Sequence, residues 1–154
     1  MRIQSQFGQL LYPDLPIFYA ASGGGGTNGM ALGTSAAEIT IFTEVAINRG
    51  GHYNPSTCRF TAPVAGIYEF YIQILTGTAN TVYRFGFYKN GIAQNPQLRL
   101  DCTDNTNTDY QTGTMGVYYD LLKGDYISVY GYSTDGSDGY SNTTYDVFRG
   151  RLIG

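Results

Sequence analysis

From Gly66 onward the chain alternates. Tyr68, Phe70, Ile72 and Ile74 fall at every second position, with Glu69, Tyr71 and Gln73 between them. Side chains two residues apart share one face of a strand, so this run has one apolar face to bury and one face turned the other way. A helix would need its apolar residues three and four apart, and no stretch of the chain shows that period. The same alternation returns in Thr81 to Lys89, where Tyr83, Phe85 and Phe87 share a face. That run ends at Asn90-Gly91, a strong hairpin-turn signal.

A half-apolar strand needs partners, and the rest of the chain supplies them. Ile17 to Ala20, Ile39 to Ile47, Thr114 to Leu122, Asp125 to Tyr132 and Tyr145 to Ile153 are predicted strands, with a weaker one at Gln97 to Leu100. Between them lie a glycine loop from Ser22 to Gly29, turn chemistry from Asn48 to Thr57, the Lys123-Gly124 turn, and polar loops at Asp101 to Asp109 and Ser133 to Thr143. Fifteen Tyr and eight Phe favour strands, and twenty-one Gly suit the turns. A chain of 154 residues can bury roughly 70% of its unfolded surface as one domain, without a disulfide or metal to hold it. The expectation is all-β: a two-sheet antiparallel jelly-roll sandwich of about ten strands.

Net charge −3 gives no footprint for nucleic acid. No apolar run approaches the roughly 20 residues that span a bilayer as a helix. Met1 to Gly8 lacks the blocks of a secretory signal, which predicts that a signal was removed or never used. Cys58 and Cys102 could pair or remain two buried thiols; both readings stay open.

The spacing from Phe42 to Phe70 carries a family. Phe42, Asn48, Tyr53, Phe60, Gly66, Tyr68 and Phe70 stand in an order and spacing that resembles the signature of the complement one-q globular head domain, within the tumour-necrosis-factor-like jelly rolls. Ile72 departs from it, standing where that signature usually has another aromatic. Pro16 to Ala20, Lys89-Asn90-Gly91, the Gly124-Asp125 step and the closing Val147 to Ile153, with Phe148 and Gly150, resemble further family landmarks. The resemblance covers residues 16–154, leaving residues 1–15 as an N-terminal arm. It implies a compact homotrimer. The residues themselves read as fold: Tyr68, Phe70 and Phe148 as core, Gly66 and Gly124 as positive-φ turns, Asn48 as a local backbone hydrogen bond.

Tyr71, Tyr118, Tyr126, Tyr130 and Tyr132 fall on the outward-reading positions, more aromatic surface than a lone domain needs. They are the candidates for a trimer interface or a ligand face, although tyrosine is also simply a good strand former.

Catalytic constellations are missing from the sequence. His52 is the one histidine, there is no Gly-x-Ser-x-Gly elbow, and Gly24-x-Gly26-x-x-Gly29 has no helix to follow it. The expectation is a protein that is not an enzyme and needs no cofactor. Calcium is the one metal to consider, through Asp101, Asp104, Asp135 and Asp138, whose spacing lacks the EF-hand pattern and whose ordinary reading is solvated turns. Asn142-Thr143-Thr144 is a glycosylation sequon in a secretory setting.

The chain shows neither a signal nor Gly-X-Y triplets, which animal relatives of this family carry. The functional expectation is therefore a phage or bacterial member of the family acting as a non-enzymatic trimeric structural and binding module, a bacteriophage virion component: a fibre tip, tail adhesin or capsid decoration. In it Phe7, Leu10, Leu11 and Tyr12 of the arm would dock onto other virion proteins, and the outer loops would meet a host-surface glycan or protein. The alternative is an extracellular, secreted recognition module or cytokine-like ligand without its signal and stalk.

Overall fold

The computed structural model describes residues 15–23, 25–77, 81–94, 99–103, 110–142 and 145–154. The arm residues Phe7, Leu10, Leu11 and Tyr12, and also Asp104, lie outside them. Among the described residues the chain forms strands only: β1 (Ile17–Ala21), β2 (Gly25–Met30), β3 (Ala37–Glu38), β4 (Glu44–Arg49), β5 (Tyr53–Asn54), β6 (Arg59–Thr61), β7 (Gly66–Thr76), β8 (Val82–Lys89), β9 (Ile92–Ala93), β10 (Leu100–Thr103), β11 (Gln111–Leu121), β12 (Tyr126–Ser133), β13 (Gly139–Asn142) and β14 (Val147–Leu152).

Two antiparallel sheets form the sandwich. The first runs β11-β7-β14-β1-β4; the second runs β10-β8-β12-β6-β5, with β3 added on β12 and β9 on β8. In each long strand the alternation decides the facing. Tyr68, Phe70, Ile72 and Ile74 point inward and are fully buried, as are Tyr83, Phe85 and Phe87 from the opposite sheet. Between the sheets the rings pack in mixed stacked and edge-on pairs: Phe18 on Tyr53 at 4.5 Å, Phe18 edge-on to Phe148 at 4.8 Å, and Phe60 against Phe70 at 5.5 Å. Each such pair adds about 0.5–1.5 kcal/mol beyond its buried area. Ile72 is fully buried among them, so the aliphatic replacement fills its place in the core.

The polar members of the motif hold the rings in register. The Asn48 side chain clasps the backbone of Tyr53, accepting from its N–H at 3.0 Å and donating to its carbonyl at 2.8 Å. The Tyr53 hydroxyl donates to the buried Phe42 carbonyl at 2.7 Å. Gly124 adopts φ +92°, as its turn demands. Gly66 corrects the sequence reading. It has no positive φ; a Cβ there would meet the Gly154 carbonyl oxygen at 2.6 Å and Leu152 Cδ1 at 2.8 Å, so close approach of β14 requires the glycine.

Strand assignments also change. The glycine run expected as a loop is β2, and part of the polar loop after Ser133 is β13; the two pair as a separate ribbon. Tertiary pairing overrides weak strand propensity here. The expected strand from Ile39 to Ile47 divides into β3 and β4, with Ile39 and Phe42 still buried between them. Leu100 to Thr103 pairs with β8 although Asp101 onward was expected to be loop.

Candidate functional site

The five outward tyrosines do not share one face. Tyr71 of β7 and Tyr118 of β11 lie on the first sheet; Tyr126, Tyr130 and Tyr132 of β12 lie on the second. Each group completes a different surface.

On the first sheet, strand register lines up two rows. Ile47, Tyr19, Arg149, Tyr71 and Gly116 are successive cross-strand neighbours from β4 to β11. Beside them run Arg49, Ile17, Arg151, Glu69 and Tyr118. Gly116 brings no side chain to its row, and a hollow of about 400 Å³ opens over these two rows. Arg149 stacks 4.3 Å from the Tyr71 ring. Arg151 Nε donates to Glu69 Oε2 at 2.8 Å, and the Tyr118 hydroxyl donates to Glu69 Oε1 at 3.3 Å. Ile47 in the hollow is 44% exposed and Tyr118 beside it is 64% exposed; Arg149, Arg151 and Glu69 line the hollow together with the apolar and aromatic side chains.

The second sheet's outer surface is built differently. Tyr88 of β8 stacks on Tyr130 with 4.0 Å between centroids. Arg59 lies 4.5 Å over Tyr126 while both arms of its fork donate to Glu38 at 2.7 Å. This pairing holds the Glu38 carboxyl below the usual carboxylate range. Arg84 lies 5.6 Å over Tyr132 and 3.6 Å from Asp101, which also receives both arms of the Arg99 fork. The result is a tyrosine surface on which Glu38 holds Arg59 by both arms and Arg84 lies between the Tyr132 ring and Asp101 without a hydrogen bond from its Nε.

Sequence reasoning missed Ile17, Tyr19, Ile47, Arg149 and Arg151 on the first face, and Tyr88, Arg59 and Arg84 on the second. Strand parity carried the signal for Tyr19 and Arg149, since each alternates with a buried neighbour, Phe18 and Phe148. Which outward residues meet across strands depends on register, and no single strand states it.

The aspartates are not gathered into a cage. Asp135 accepts from the Thr81 hydroxyl at 2.8 Å and the Ser137 N–H at 2.9 Å. Asp138 accepts from the Leu32 N–H at 3.1 Å, and Asp101 serves the arginines. Among the described residues no group of three or more His, Cys, Asp or Glu could hold a metal ion. Both cysteines are free and buried; burial and the nearby Asp101 push the Cys102 thiol up to about 11. Neither thiol is poised as a nucleophile. Among the described residues no helix is long and apolar enough to cross a membrane.

Asp125 ties two turns together. It pairs with Lys89 at 2.8 Å and accepts from the Asn90 side chain and the Leu122 N–H, each at 2.8 Å. Those contacts bring its carboxyl down to about 2. The Asn90 side chain in turn accepts from the Tyr126 N–H at 2.9 Å.

The C1q domain model matches residues 25–153, which takes in nearly all of both sheets. The chain belongs to the C1q domain family. Among curated proteins it is 28% identical over 113 residues to protein HP-25 homolog 1 of Bos taurus, covering 73% of this chain and 50% of that one. It is 26% identical over 124 residues to the heavy metal-binding protein HIP of Mytilus edulis, covering 77% and 53%. The chain thus spans about half the length of the curated relatives it matches. The globular domain of zebrafish complement 1qA superposes with TM-score 0.65 at 20% identity, over 91% of this chain and 98% of that one. Murine APRIL superposes with TM-score 0.65 at 12% identity, over 90% and 99%. These likenesses show the jelly-roll fold shared by the C1q and tumour-necrosis-factor groups.

Proposed function

We propose that this C1q domain is an extracellular recognition module that assembles as a homotrimer through the exposed face of its first sheet. The observation that carries this reading is the concave row of Ile47, Tyr19, Tyr71 and Gly116, flanked by Ile17 and the exposed Tyr118. The protruding Tyr118 of one copy enters the hollow of the next, a head-to-tail contact between two different patches. A contact of one kind of patch with another closes into a ring when the rotation allows it. Family membership supports the choice of three.

The tyrosine–arginine surface of the second sheet then stays outward and serves as the recognition surface. Stacked rings with fixed guanidinium planes suit sugar faces and protein side chains alike. Both curated relatives come from animals, which favours the secreted reading over the virion role expected from the sequence. The mussel relative's name speaks of heavy metals; among the described residues of this chain Asp101, Asp135 and Asp138 are each engaged by protein partners.

Substitution separates the two faces. Ile47→Asp with Tyr71→Asp should yield a folded monomer, because buried charge replaces apolar contact. Tyr130→Ala should leave the trimer intact and abolish binding of the trimer to glycan arrays or cell-surface protein. A trimer that survives the aspartates, or binding unaltered by Tyr130→Ala, sinks the corresponding half of the proposal.

A further inference from the structure

The outer face of the second sheet holds a slot where β12 and β8 run side by side. Strand register sets Tyr130 opposite Gly86, Tyr132 opposite Arg84 and Ser128 opposite Tyr88. Gly86 brings no side chain to its place. A recess of about 10 Å³ opens there between Tyr88, Tyr130 and Tyr132, with Arg84 and Arg99 on its wall. That is room for about one water-sized group. A carboxylate tip enters such a recess; a sugar ring does not.

Charge at the slot is unbalanced. Both oxygens of Asp101 accept from the Arg99 fork, at 2.6 and 2.9 Å. Arg84, the cross-strand neighbour of Asp101, is left 3.6 Å from the same carboxylate. Its Nε is buried without a hydrogen bond, and its Nη1 donates to the Tyr132 hydroxyl at a long 3.4 Å. A guanidinium carries five donors and is served best by two parallel bonds to one carboxylate. Here two guanidinium groups share a single carboxylate, and none of the described residues lining the recess is acidic. Elsewhere on the same face Arg59 has both oxygens of Glu38 to itself. The chain as a whole carries −3, so the surplus positive charge is local to this slot.

Given the second sheet as the recognition surface, on which this assignment rests, we propose that the slot over Gly86 takes an acidic side chain of a protein partner. The carboxylate of that aspartate or glutamate is held between Arg84 and Arg99. Tyrosine and arginine around a small recess are the make-up of protein-binding hot spots, where an inserted charge is desolvated and paired. Tyr88 and Tyr130, stacked on each other, wall the recess and shield the pair from water.

The test uses the full chain and three immobilised polymers, poly-L-glutamate, polygalacturonate and dextran sulfate, read by biolayer interferometry at about 0.15 M salt. Binding to poly-L-glutamate is expected, with about tenfold weaker binding to the two sugar polymers. Arg84→Gln and Arg99→Gln should each weaken the poly-L-glutamate signal about tenfold with the melting temperature kept, the second because Asp101 then turns to Arg84. Asp101→Asn should tighten it about threefold, a gain that misfolding does not produce. No binding to poly-L-glutamate, equal or stronger binding to either sugar polymer, or binding unmoved by the arginine variants overturns the proposal. Tyr130→Ala separates the slot from the wider reading. Binding lost there but kept in Arg84→Gln overturns the acidic slot alone, and binding kept in both overturns the recognition surface as well.

Discussion

Tyr53 shows how one motif residue sets local order. Its backbone is clasped by Asn48 and its hydroxyl satisfies the buried Phe42 carbonyl, so Tyr53→Phe leaves a carbonyl in the core without its donor. Urea denaturation should show a loss of about 1–3 kcal/mol. Asp125 carries the pH dependence. Its folded carboxyl sits at about 2 against an ordinary 3.8, so protonation favours the unfolded chain. The stabilisation is complete above about 4 and fades as pH falls toward about 2. Asp125→Asn should flatten the fall in melting temperature across that window and leave a lower plateau at neutral pH. An unaltered acid profile would remove Asp125 from this role. The Asn90-Gly91 turn and the Gly124-Asp125 step were each legible in the sequence. That Asp125 reaches back to Lys89 and Asn90 was not, because the contact joins two turns that only the β8–β12 pairing brings together.

Elements were most legible where alternation was strict. β7, β8, β12 and β14 follow from the spacing of Tyr68, Phe85, Val129 and Phe148, because a buried face dictates parity. Legibility failed at β2, whose glycines offer no side-chain pattern and whose strand exists through pairing with β13. It failed also for Gly66, where the constraint comes from β14 rather than from the turn itself. Gly150 poses the same constraint inside β14. A Cβ there would lie 2.5 Å from Phe70 Cδ1 and 2.8 Å from Phe18 Cε1, two rings of a core with no slack. Gly150→Ala should cost about 1–3 kcal/mol through forced repacking. Calorimetry should record it as a lower melting temperature with the fold retained, and a neutral effect would show that β1 and β7 can part.

At the scale of the molecule, the surplus tyrosines resolve into two surfaces with different chemistry. The sequence showed that these side chains face outward but not which sheet holds them, since the sheet order is set by pairings such as β1 with β14, over a hundred residues apart. The first face is a hollow where Ile47, Tyr19 and Tyr71 stand beside Arg149, Arg151 and Glu69, with Arg149 stacked on Tyr71 and Arg151 and Tyr118 bonded to Glu69. The second is a plane of rings with Arg59 and Arg84 lying over Tyr126 and Tyr132. The first holds a hollow of about 400 Å³, and the assembly proposal rests there.

The most direct measurement of the assembly claim is the mass of the full chain in solution at micromolar concentration, by size exclusion with light scattering. The account predicts a single species of three chain masses, each 16.9 kDa. A species of one chain mass would contradict it.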